Sequence, residues 1–493
     1  MPFLDRVFTK PALHRPAGPG WSGAVLPPDF VPVALDERLG PLDPAALTAM
    51  AEGPERILLV APAEAVLHPD IANVVRRALA ERPDAAIFYG DEILIGAGDA
   101  LTTFCKPAFN RALLESTDYI GFPLILRASA LKAIDLTVGW RREGAWYELV
   151  LQAAAAGLAV ARIPRTLQAC AGPRREAPIA ARRKVLVKSM DRLQADVALL
   201  PGRVPASLRT QRRFADHPDV TLIVSGKHRE MDQALGLARI LEAIRRGRWP
   251  ADRLEVLVAD GADVAPGRGD PIRLREVPLA DRSSSARLNG LWRAAETDFI
   301  VFLDDDLEPG TPDWLDALVN YAADRSVGVV GARTIDRAGR VVQAGLVGDP
   351  EQGLCALWRG QPASAPTYGD WALLPRDCAM VGGGILATRR AVLDAANGFD
   401  PGFSGLLAEA DLCLRTGLLG YRTVYTPFAE FVRPAPDDVP VPGSEIARFV
   451  RRWRDVLYDD PGSNPQLRVE TGDLKPFASA TRWVEDLRNS KPA

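Results

Sequence analysis

Apolar and polar residues form two kinds of pattern that alternate along the chain. Short runs that are almost wholly apolar, such as ILLV at 57–60 and VTLIVS at 220–225, are typical of strands buried on both faces. Between such runs, apolar residues recur every three or four positions, as in IANVVRRALAE at 71–81 and ALGLARILEAIRR at 234–246, which is typical of amphipathic helices. The alternation predicts the α/β class, with parallel sheets that helices cover on both faces.

Shifts in composition predict five parts of the chain. Residues 1–50, which are rich in Pro and Gly, are expected to form an extended lead-in with little structure of its own. A first α/β region follows, in which AAIFYGDEILI at 85–95 predicts strands on both sides of a Gly-Asp turn. A basic helix and a connection containing Pro and Gly link it to a second α/β region, which a tail follows. The predicted parts are 1–50, 51–171, 172–216, 217–434 and 435–493.

The two α/β regions resemble each other in sequence. Residues 124–164 align with residues 385–427 across one small gap, so that Arg127 meets Arg389. Such internal similarity is typical of a duplicated domain. The copies differ in their acids, because FLDDD in the second copy corresponds to LLVAPAE in the first. We therefore expect the first copy to keep the fold without the acids.

Composition and charge limit the expected number of domains, the partners and the cellular location of the chain. With 493 residues, of which 47% are hydrophobic and 25% charged, it can bury sizeable cores, and its length suggests two or three domains. The net charge of −3 shows no basic excess, so nucleic acid is not an expected partner. Five cysteines without a CxxC pair indicate a reducing compartment. No signal peptide or apolar run of spanning length is visible, so the expected location is the cytoplasm.

Three adjacent acids, Asp304, Asp305 and Asp306, follow the apolar strand FIVFL. Repulsion between neighbouring carboxylates in a poorly solvated place is unfavourable, so a cation or a set of hydrogen-bond donors is expected beside them. The alternative is a solvated loop in which one of the three caps the following helix. Asp260 and Gly261 follow another apolar strand, and ligands bind at the carboxyl ends of strands in such sheets. These five residues are therefore expected in one cleft.

Four strings in order make residues 219–433 resemble the inverting, metal-dependent glycosyltransferases of family 2: VLVADGAD, FLDDD, MVGGGILATRRAVLDAANGFD and EADLCLR. The first half is similar to the companion module of two-domain members, and the tail FVRRWRDVLYDDPGSNPQL resembles the Trp-anchored ending of the O-antigen and rhamnan branch. The resemblance implies two tandem domains of the GT-A type, the nucleotide-diphospho-sugar transferase fold, with the first degenerate. It also implies transfer of a hexose or deoxyhexose from a nucleoside diphosphate donor to a growing surface polysaccharide or lipid-linked glycan.

The resemblance further implies a role for each residue that matches a family motif. Asp304 and Asp306 would hold Mg²⁺ or Mn²⁺, hard ions that prefer oxygen ligands, and Glu409 would be the base that deprotonates the acceptor. For Asp411, a direct catalytic role and capping of the helix LCLRTGLLG remain equally open. The implied donor-binding residues are Ser225, Asp260, Gly261, Asp304, Asp305 and Arg433, and the implied acceptor-side residues are Gly383 and Gly384.

Several positions depart from the family pattern. Ala408 and Glu409 replace the usual Glu-Asp pair, Arg433 replaces a histidine, and Gln343 begins QAG in place of HAG. A cationic Arg433 cannot ligate a metal but can pair with a diphosphate through two hydrogen bonds. These departures keep open a non-catalytic scaffold that binds sugar nucleotide or glycan, whereas the intact acids favour an enzyme. A nucleotidyltransferase is a third option, but it needs a Gly-rich basic loop of which VSGKHRE is a poor version.

A cluster of basic residues lies in the predicted linker helix: Arg182, Arg183, Lys184 and Lys188. The cluster could meet an anionic membrane surface, which suits an acceptor at the inner face of the plasma membrane, but a solvated linker helix is the favoured interpretation. The sequence leaves the donor base, the sugar, the linkage and the oligomeric state open.

Overall fold

The computed structural model describes most of the chain, and the predicted donor residue Gly261 lies outside the described part. The described residues are 24–35, 44–135, 144–192, 196–225, 230–260, 271–279, 281, 283–433, 441–458, 460, 462–470 and 472–489. Within these ranges the predicted α/β class is confirmed, and none of the helices combines the length and the apolar character needed to cross a membrane.

Strands form one main sheet in each half of the chain. The strands of the first sheet are β1 (Phe30–Leu35), β2 (Ile57–Pro62), β3 (Val66–Leu67), β4 (Ala85–Ile95), β5 (Leu101–Phe104), β6 (Leu124–Arg127) and β7 (Ala159–Ala171). In the connection, β8 (Val197–Pro201) and β9 (Leu208–Arg212) pair as a hairpin. The second half contains β10 (Val220–Ser225), β11 (Leu254–Ala259), β12 (Arg273–Val277), β13 (Phe299–Asp304), β14 (Glu308–Pro309), β15 (Val327–Ile335), β16 (Val341–Gln343), β17 (Leu346–Asp349), β18 (Gly353–Ala356), β19 (Arg376–Cys378), β20 (Ile385–Arg389) and β21 (Arg422–Val432), of which β17 and β18 pair only with each other. The tail adds a hairpin of β22 (Leu467–Glu470) and β23 (Asp473–Pro476).

Helices lie between the strands as the periodicity predicts. They are α1 (Pro44–Glu52), α2 (Ile71–Glu81), α3 (Arg111–Ser116), α4 (Ala145–Ala155), α5 (Ile179–Arg192), α6 (Glu230–Arg246), α7 (Ser284–Ala294), α8 (Trp314–Ala322), α9 (Arg390–Ala396), α10 (Gly405–Leu418), α11 (Gly443–Tyr458) and α12 (Arg482–Asn489). Adjacent residues of β10 point to opposite faces of the sheet and pack into different hydrophobic cores. Leu222 packs with residues of α6 and α8, whereas Ile223 packs with residues of α7 and α10. Helices therefore cover both faces of the second sheet, as predicted.

The two sheets repeat one strand order. It is β1-β2-β6-β4-β7-β3 in the first sheet and β10-β13-β20-β15-β21-β14 within the second. The pairing registers also correspond, since Ile57 lies opposite Arg127 and Phe299 opposite Arg389. The second sheet continues beyond β10 into β11 and β12, whereas β1 is the last strand at that edge of the described first sheet. Among the residues that the structure describes, the first copy thus has no counterpart of the strand that leads to Asp260.

Three local predictions differ from the structure. Part of the predicted lead-in is the edge strand β1, because Phe30 and Val33 pack into the core. No turn interrupts β4, which continues through Gly90, although its register against β7 shifts on both sides of Asp91. A Cβ atom on Gly90 would lie 2.5 Å from Leu167 Cδ1, so this glycine serves close packing. The sheets are mixed rather than parallel, since β6 and β20 run antiparallel to both neighbours and apolar runs do not encode direction.

The predicted basic linker helix is α5, but one of its four basic residues is not at the surface. Arg182 is 1% exposed and donates to three backbone carbonyl groups. Lys188 pairs with Glu148 over 3.2 Å, and only Arg183 and Lys184 of the cluster are classed as exposed. The basic surface predicted for membrane contact is correspondingly smaller.

The tail connects the two halves of the molecule. On α11, Trp453 is buried and its Nε1 donates to Asp411 Oδ1 over 3.0 Å in the second half. Farther along, Asn464 Nδ2 donates to both carboxylate oxygens of Asp91 at 3.0 Å, in the first half. Burial raises the pKa of Asp91 to about 6. The tail therefore supplies a polar partner to an acid of the first domain that is otherwise poorly solvated.

Candidate functional site

Ser225 and the acid triplet meet at the carboxyl ends of two neighbouring parallel strands. Because β10 and β13 pair in register, Ser225 lies opposite Asp304. Ser225 Oγ donates to Asp304 Oδ1 over 3.1 Å, and the backbone N–H of Asp305 donates to the Ser225 carbonyl over 3.3 Å. The chain then turns, with Leu307 N donating to the Asp304 carbonyl over 3.2 Å. Sheet register therefore fixes where the first two acids lie.

The helix-capping alternative for the triplet is wrong. The next helix, α8, begins at Trp314, and Asp313 is its N-cap residue. Asp260 directly follows β11 at the same edge and contacts residues at the end of β12: its N–H donates to the Val277 carbonyl over 3.0 Å, and its Oδ1 accepts from Leu279 N over 3.2 Å. This placement is compatible with the predicted role of Asp260 toward a nucleobase, which stays a prediction.

Arg433 lies against the acids, directly after β21. Its Nη2 donates to Asp304 Oδ2 over 2.9 Å, and its Nη1 donates to Asp306 Oδ2 over 2.9 Å. Nη2 also donates to the Gly383 carbonyl over 2.9 Å. The arginine is 1% exposed. The cation that the repulsion between the acids requires is therefore a side chain of the same chain.

The glycine segment before β20 allows this close packing. Gly383 and Gly384 have φ values of +91° and +81°, which L side chains rarely adopt. A Cβ atom on Gly384 would lie 1.8 Å from Asp304 Oδ2 and 2.7 Å from Arg433 Nη2. The glycines thus let the backbone approach the ion pair, and the predicted acceptor-side residues lie beside the acids.

Glu409 binds the same glycine segment from α10. Its Oε2 accepts from Gly383 N over 2.7 Å, and its Oε1 accepts from Gly384 N over 3.1 Å. The side chain is buried, with 9% of its surface exposed. The carboxylate therefore holds the backbone whose carbonyl group contacts Arg433, and any role as a base comes in addition to this one.

Asp411 lies one helical step away from the site and is completely buried. Its Oδ2 accepts from Arg415 Nε over 2.7 Å, and its Oδ1 accepts from Arg452 Nη1 over 2.9 Å and from Trp453 Nε1 over 3.0 Å. Since α10 begins at Gly405, Asp411 does not cap the helix. The carboxylate joins α10 to the tail helix α11, and its catalytic role stays a prediction that this geometry does not favour.

Gln343 is a further polar side chain at the site. It is 4% exposed, and neither atom of its amide forms a hydrogen bond with a described residue. A Cβ atom on Gly383 would lie 3.2 Å from Gln343 Oε1. Sequence reasoning noted this position only as a departure from HAG, because a lone glutamine carries no signal for a binding role. A buried amide without a partner costs stability, and such groups are typical of places where a ligand supplies the partner.

Replacing Gln343 with methionine is expected to raise the free energy of unfolding by about 1–3 kcal/mol, since it removes two buried polar atoms at nearly constant volume. Turnover is expected to fall, because the amide is then missing for the ligand. Urea denaturation and steady-state kinetics measure the two effects. The comparison is Gln168→Met, at a buried amide whose Nε2 donates to Glu92 over 3.3 Å while its Oε1 has no hydrogen-bond partner among the described residues, so any gain in stability should be smaller than at Gln343. Loss of stability in Gln343→Met would contradict the assignment.

Thiol chemistry does not contribute to the site. Burial raises the pKa of the Cys378 thiol to about 11 and that of the Cys413 thiol to about 12. At neutral pH both side chains are therefore protonated, and a protonated thiol is a poor nucleophile and metal ligand. Cys413 packs inside α10 and donates to the Val381 carbonyl over 3.5 Å, which suits a small buried residue.

The donor set does not fit a divalent ion as it is arranged. The Oδ2 atoms of Asp304 and Asp306 both accept from Arg433. In the described ranges, no cluster of three or more His, Cys, Asp or Glu side chains is arranged to hold a metal ion. A metal would have to take oxygens that a buried guanidinium already binds. The predicted Mg²⁺ or Mn²⁺ would therefore compete with Arg433 for the carboxylate oxygens of Asp304 and Asp306.

A family model gives the site its context. Residues 232–393 match the model of glycosyl transferase family 2. The segment is therefore similar in sequence to the family 2 glycosyltransferases. The match includes the acid triplet and the glycine segment, and it ends before Glu409 and Arg433. The similarity to the family thus includes the acids, whereas the residues contributed by α10 and β21 rest on geometry and resemblance.

Two curated relatives extend over more of the chain than the family model does. The uncharacterized protein y4gI of Sinorhizobium fredii is 26% identical over 457 residues, which are 85% of this chain and 49% of that protein. The O-antigen biosynthesis protein RfbC of Myxococcus xanthus is 28% identical over 398 residues, 74% of this chain and 30% of that protein. The chain spans about half or less of the length of these relatives. Both relatives are similar to more of the chain than residues 232–393, and the similarity extends into its first half.

Solved structures include a distant glycosyltransferase. The mannosyltransferase PcManGT of Pyrobaculum calidifontis, in complex with GDP-Man and Mn²⁺, is 17% identical, with a TM-score of 0.33. The match covers 57% of this chain and 77% of that protein. A second structure, GalNAc-T7 with UDP, GalNAc and Mn²⁺, is 13% identical, with a TM-score of 0.36. The match covers 59% of this chain and 58% of that protein.

Proposed function

We propose that this protein transfers a sugar, with inversion, from a nucleoside diphosphate donor to a growing polysaccharide or lipid-linked glycan. The observation that carries the proposal is the acid triplet at the carboxyl end of β13, inside the segment that matches the family 2 model. The name of the Myxococcus xanthus relative, an O-antigen biosynthesis protein, supports a surface polysaccharide as the acceptor class. An acceptor of this class at the inner face of the plasma membrane completes the proposal.

On the donor side, the proposal uses the edge that β10, β11 and β13 share. Ser225 and Asp304 are hydrogen-bonded there, and Asp260 directly follows the neighbouring strand β11. A nucleoside diphosphate laid along this edge reaches from Asp260 to the acids, as ligands do in open α/β sheets. The leaving diphosphate gains negative charge as the sugar bond breaks, and the proposal assigns stabilisation of that charge to Arg433, which pairs with Asp304 and Asp306 at this edge.

On the acceptor side, the proposal assigns the base to Glu409. The acceptor hydroxyl must lose a proton as it attacks, and Glu409 is the carboxylate of the acceptor segment that contacts the glycine loop. The other acid of that segment, Asp411, is completely buried among three donors. The proton therefore passes from the attacking oxygen to Oε1 or Oε2 of Glu409.

The test is a panel of UDP-, dTDP- and GDP-sugars with wild type and Glu409→Gln. We expect one donor to raise the melting temperature of both proteins, and wild type to release its nucleoside diphosphate slowly. Turnover of Glu409→Gln should fall by roughly 10²- to 10⁴-fold, with loss of the acidic limb of the kcat/KM profile against pH. If Glu409 only holds the glycine segment, donor affinity falls together with turnover and the pH profile keeps its shape.

One observation favours a second function, a scaffold that binds sugar nucleotide or glycan without turnover. Asp304 and Asp306 are paired with Arg433, and Ala408 stands at a position where the family usually has an acid. The same panel separates the two functions. Donor-dependent stabilisation without release of nucleoside diphosphate, in the presence of a membrane extract that supplies acceptors, would favour the scaffold.

A further inference from the structure

We propose that the guanidinium of Arg433 is the cation of this site and takes the place of a divalent metal ion. The part of the inference that concerns the donor rests on the proposed function. The part that concerns the metal stands on the geometry of the site alone.

The geometry is that of a cation bridging two carboxylates. Arg433 donates to Asp304 through Nη2 and to Asp306 through Nη1, each over 2.9 Å. A metal ion would use the same two acids, since they are the ones that the family motif assigns to it. The planar guanidinium presents its N–H groups as a fork, which suits simultaneous contact with two oxygens better than a point charge does.

The guanidinium is also held in place by the backbone. The Gly383 carbonyl accepts from Nη2 over 2.9 Å, and that glycine is itself bound by Glu409. The missing side chain of Gly384 makes the room for this arrangement. Since Arg433 is 1% exposed, its position is set by packing rather than by solvent. The positive charge is therefore in place before any ligand arrives, which is the condition for electrostatic preorganisation.

A divalent ion would have to displace this arrangement. It would take Oδ2 of Asp304 and Oδ2 of Asp306 from the arginine and leave a buried guanidinium without its counter-charges. Breaking a buried ion pair by removing its partners is strongly unfavourable. The same two carboxylates are therefore poor ligands for Mn²⁺ in this chain, although the sequence motif is that of a metal site.

For the donor, the consequence is that its diphosphate meets an arginine instead of a metal ion. Arginine binds phosphate oxygens through paired hydrogen bonds and keeps its charge at every accessible pH. Donor binding should then be insensitive to chelators. Replacing Arg433 with histidine should restore a metal site, because an imidazole next to two carboxylates is a ligand set that suits Mn²⁺.

The first experiment titrates Mn²⁺ into the full chain and follows free Mn²⁺ by electron paramagnetic resonance. We expect no saturable binding to wild type at millimolar Mn²⁺, and one saturable equivalent in Arg433→His that Arg433→His/Asp306→Asn loses. Saturable binding to wild type that Asp306→Asn removes would overturn the proposal. The titration requires neither donor nor turnover. The result for wild type tests the proposal even if the histidine variant does not fold.

The second experiment repeats the donor panel for wild type with EDTA and with Mn²⁺. An unchanged thermal shift supports the inference, and a shift that EDTA abolishes and Mn²⁺ restores overturns it. If no nucleoside diphosphate sugar stabilises the protein, the proposed function fails, while the Mn²⁺ titration still decides the inference about the cation.

Discussion

Gly384→Ala is expected to abolish activity and to lower the free energy of unfolding by roughly 4–7 kcal/mol. The new methyl group would lie 1.8 Å from Asp304 Oδ2, so Asp304 and Arg433 cannot keep their present positions. Separating a buried ion pair costs about 3–5 kcal/mol, and an alanine in the left-handed backbone region costs about 1–2 kcal/mol more. Urea denaturation followed by circular dichroism measures the loss, together with release of nucleoside diphosphate.

The chain offers a matched control for backbone strain. Gly420 has φ +87°, close to the +81° of Gly384, and a Cβ atom there would meet nothing within 4 Å. Gly420→Ala should therefore lose only about 1–2 kcal/mol and stay active. Equal losses in the two variants would mean that the contact with the ion pair contributes little to stability.

Asp411→Asn is expected to lower the free energy of unfolding by about 3–5 kcal/mol, because it removes a buried charge that two arginines share. Asp411 accepts from Arg415 over 2.7 Å and from Arg452 over 2.9 Å, and it is completely buried. Loss of the charge also weakens the hydrogen bond from Trp453, so the tail helix should loosen. We expect turnover per folded molecule to be unchanged. Thermal unfolding measures the loss of stability, and active-site titration gives the amount of folded protein to which turnover is referred.

Asp400→Asn is the comparison for Asp411→Asn. Asp400 accepts from the same arginine, Arg452, over 2.6 Å, but both side chains are partly exposed. Exposed ion pairs contribute about 0–1 kcal/mol, so this change should be nearly neutral. If Asp411→Asn instead keeps its stability and loses turnover at least 10²-fold, Asp411 acts in the chemistry as general acid-base groups do.

The position of the acids was predictable from sequence because it depends on strands alone. An apolar run followed by acids predicts where a strand ends, and neighbouring parallel strands bring their ends to one edge. Ser225 and Asp304 illustrate this, since register alone places them opposite each other. The contact between Arg433 and Asp304 was not predictable in the same way. It joins residues 129 apart and needs β20 and the glycine segment between them.

Two other features were outside the reach of sequence patterns for physical reasons. Gly90 predicted a turn, because glycine is common in turns, but its lack of a side chain serves contact with Leu167 in a continuous strand. Asp411 predicted a helix cap or a catalytic group. The pattern could not show its three hydrogen-bond donors, because they come from two different helices that only the folded chain brings together. The roles of both residues depend on tertiary contacts, which local propensity does not contain.

The contact between the tail and the first half bears on how the protein is made. Asp91 receives the amide of Asn464, a residue 373 positions later in the chain. At about 5–20 residues per second, a ribosome needs roughly 20–75 s to make that stretch. During this time the first domain has emerged from the ribosome while its buried acid still lacks the amide that serves it in the finished protein. Nascent chains stalled before residue 464 should therefore be cleaved by proteases in the first domain more readily than completed ones.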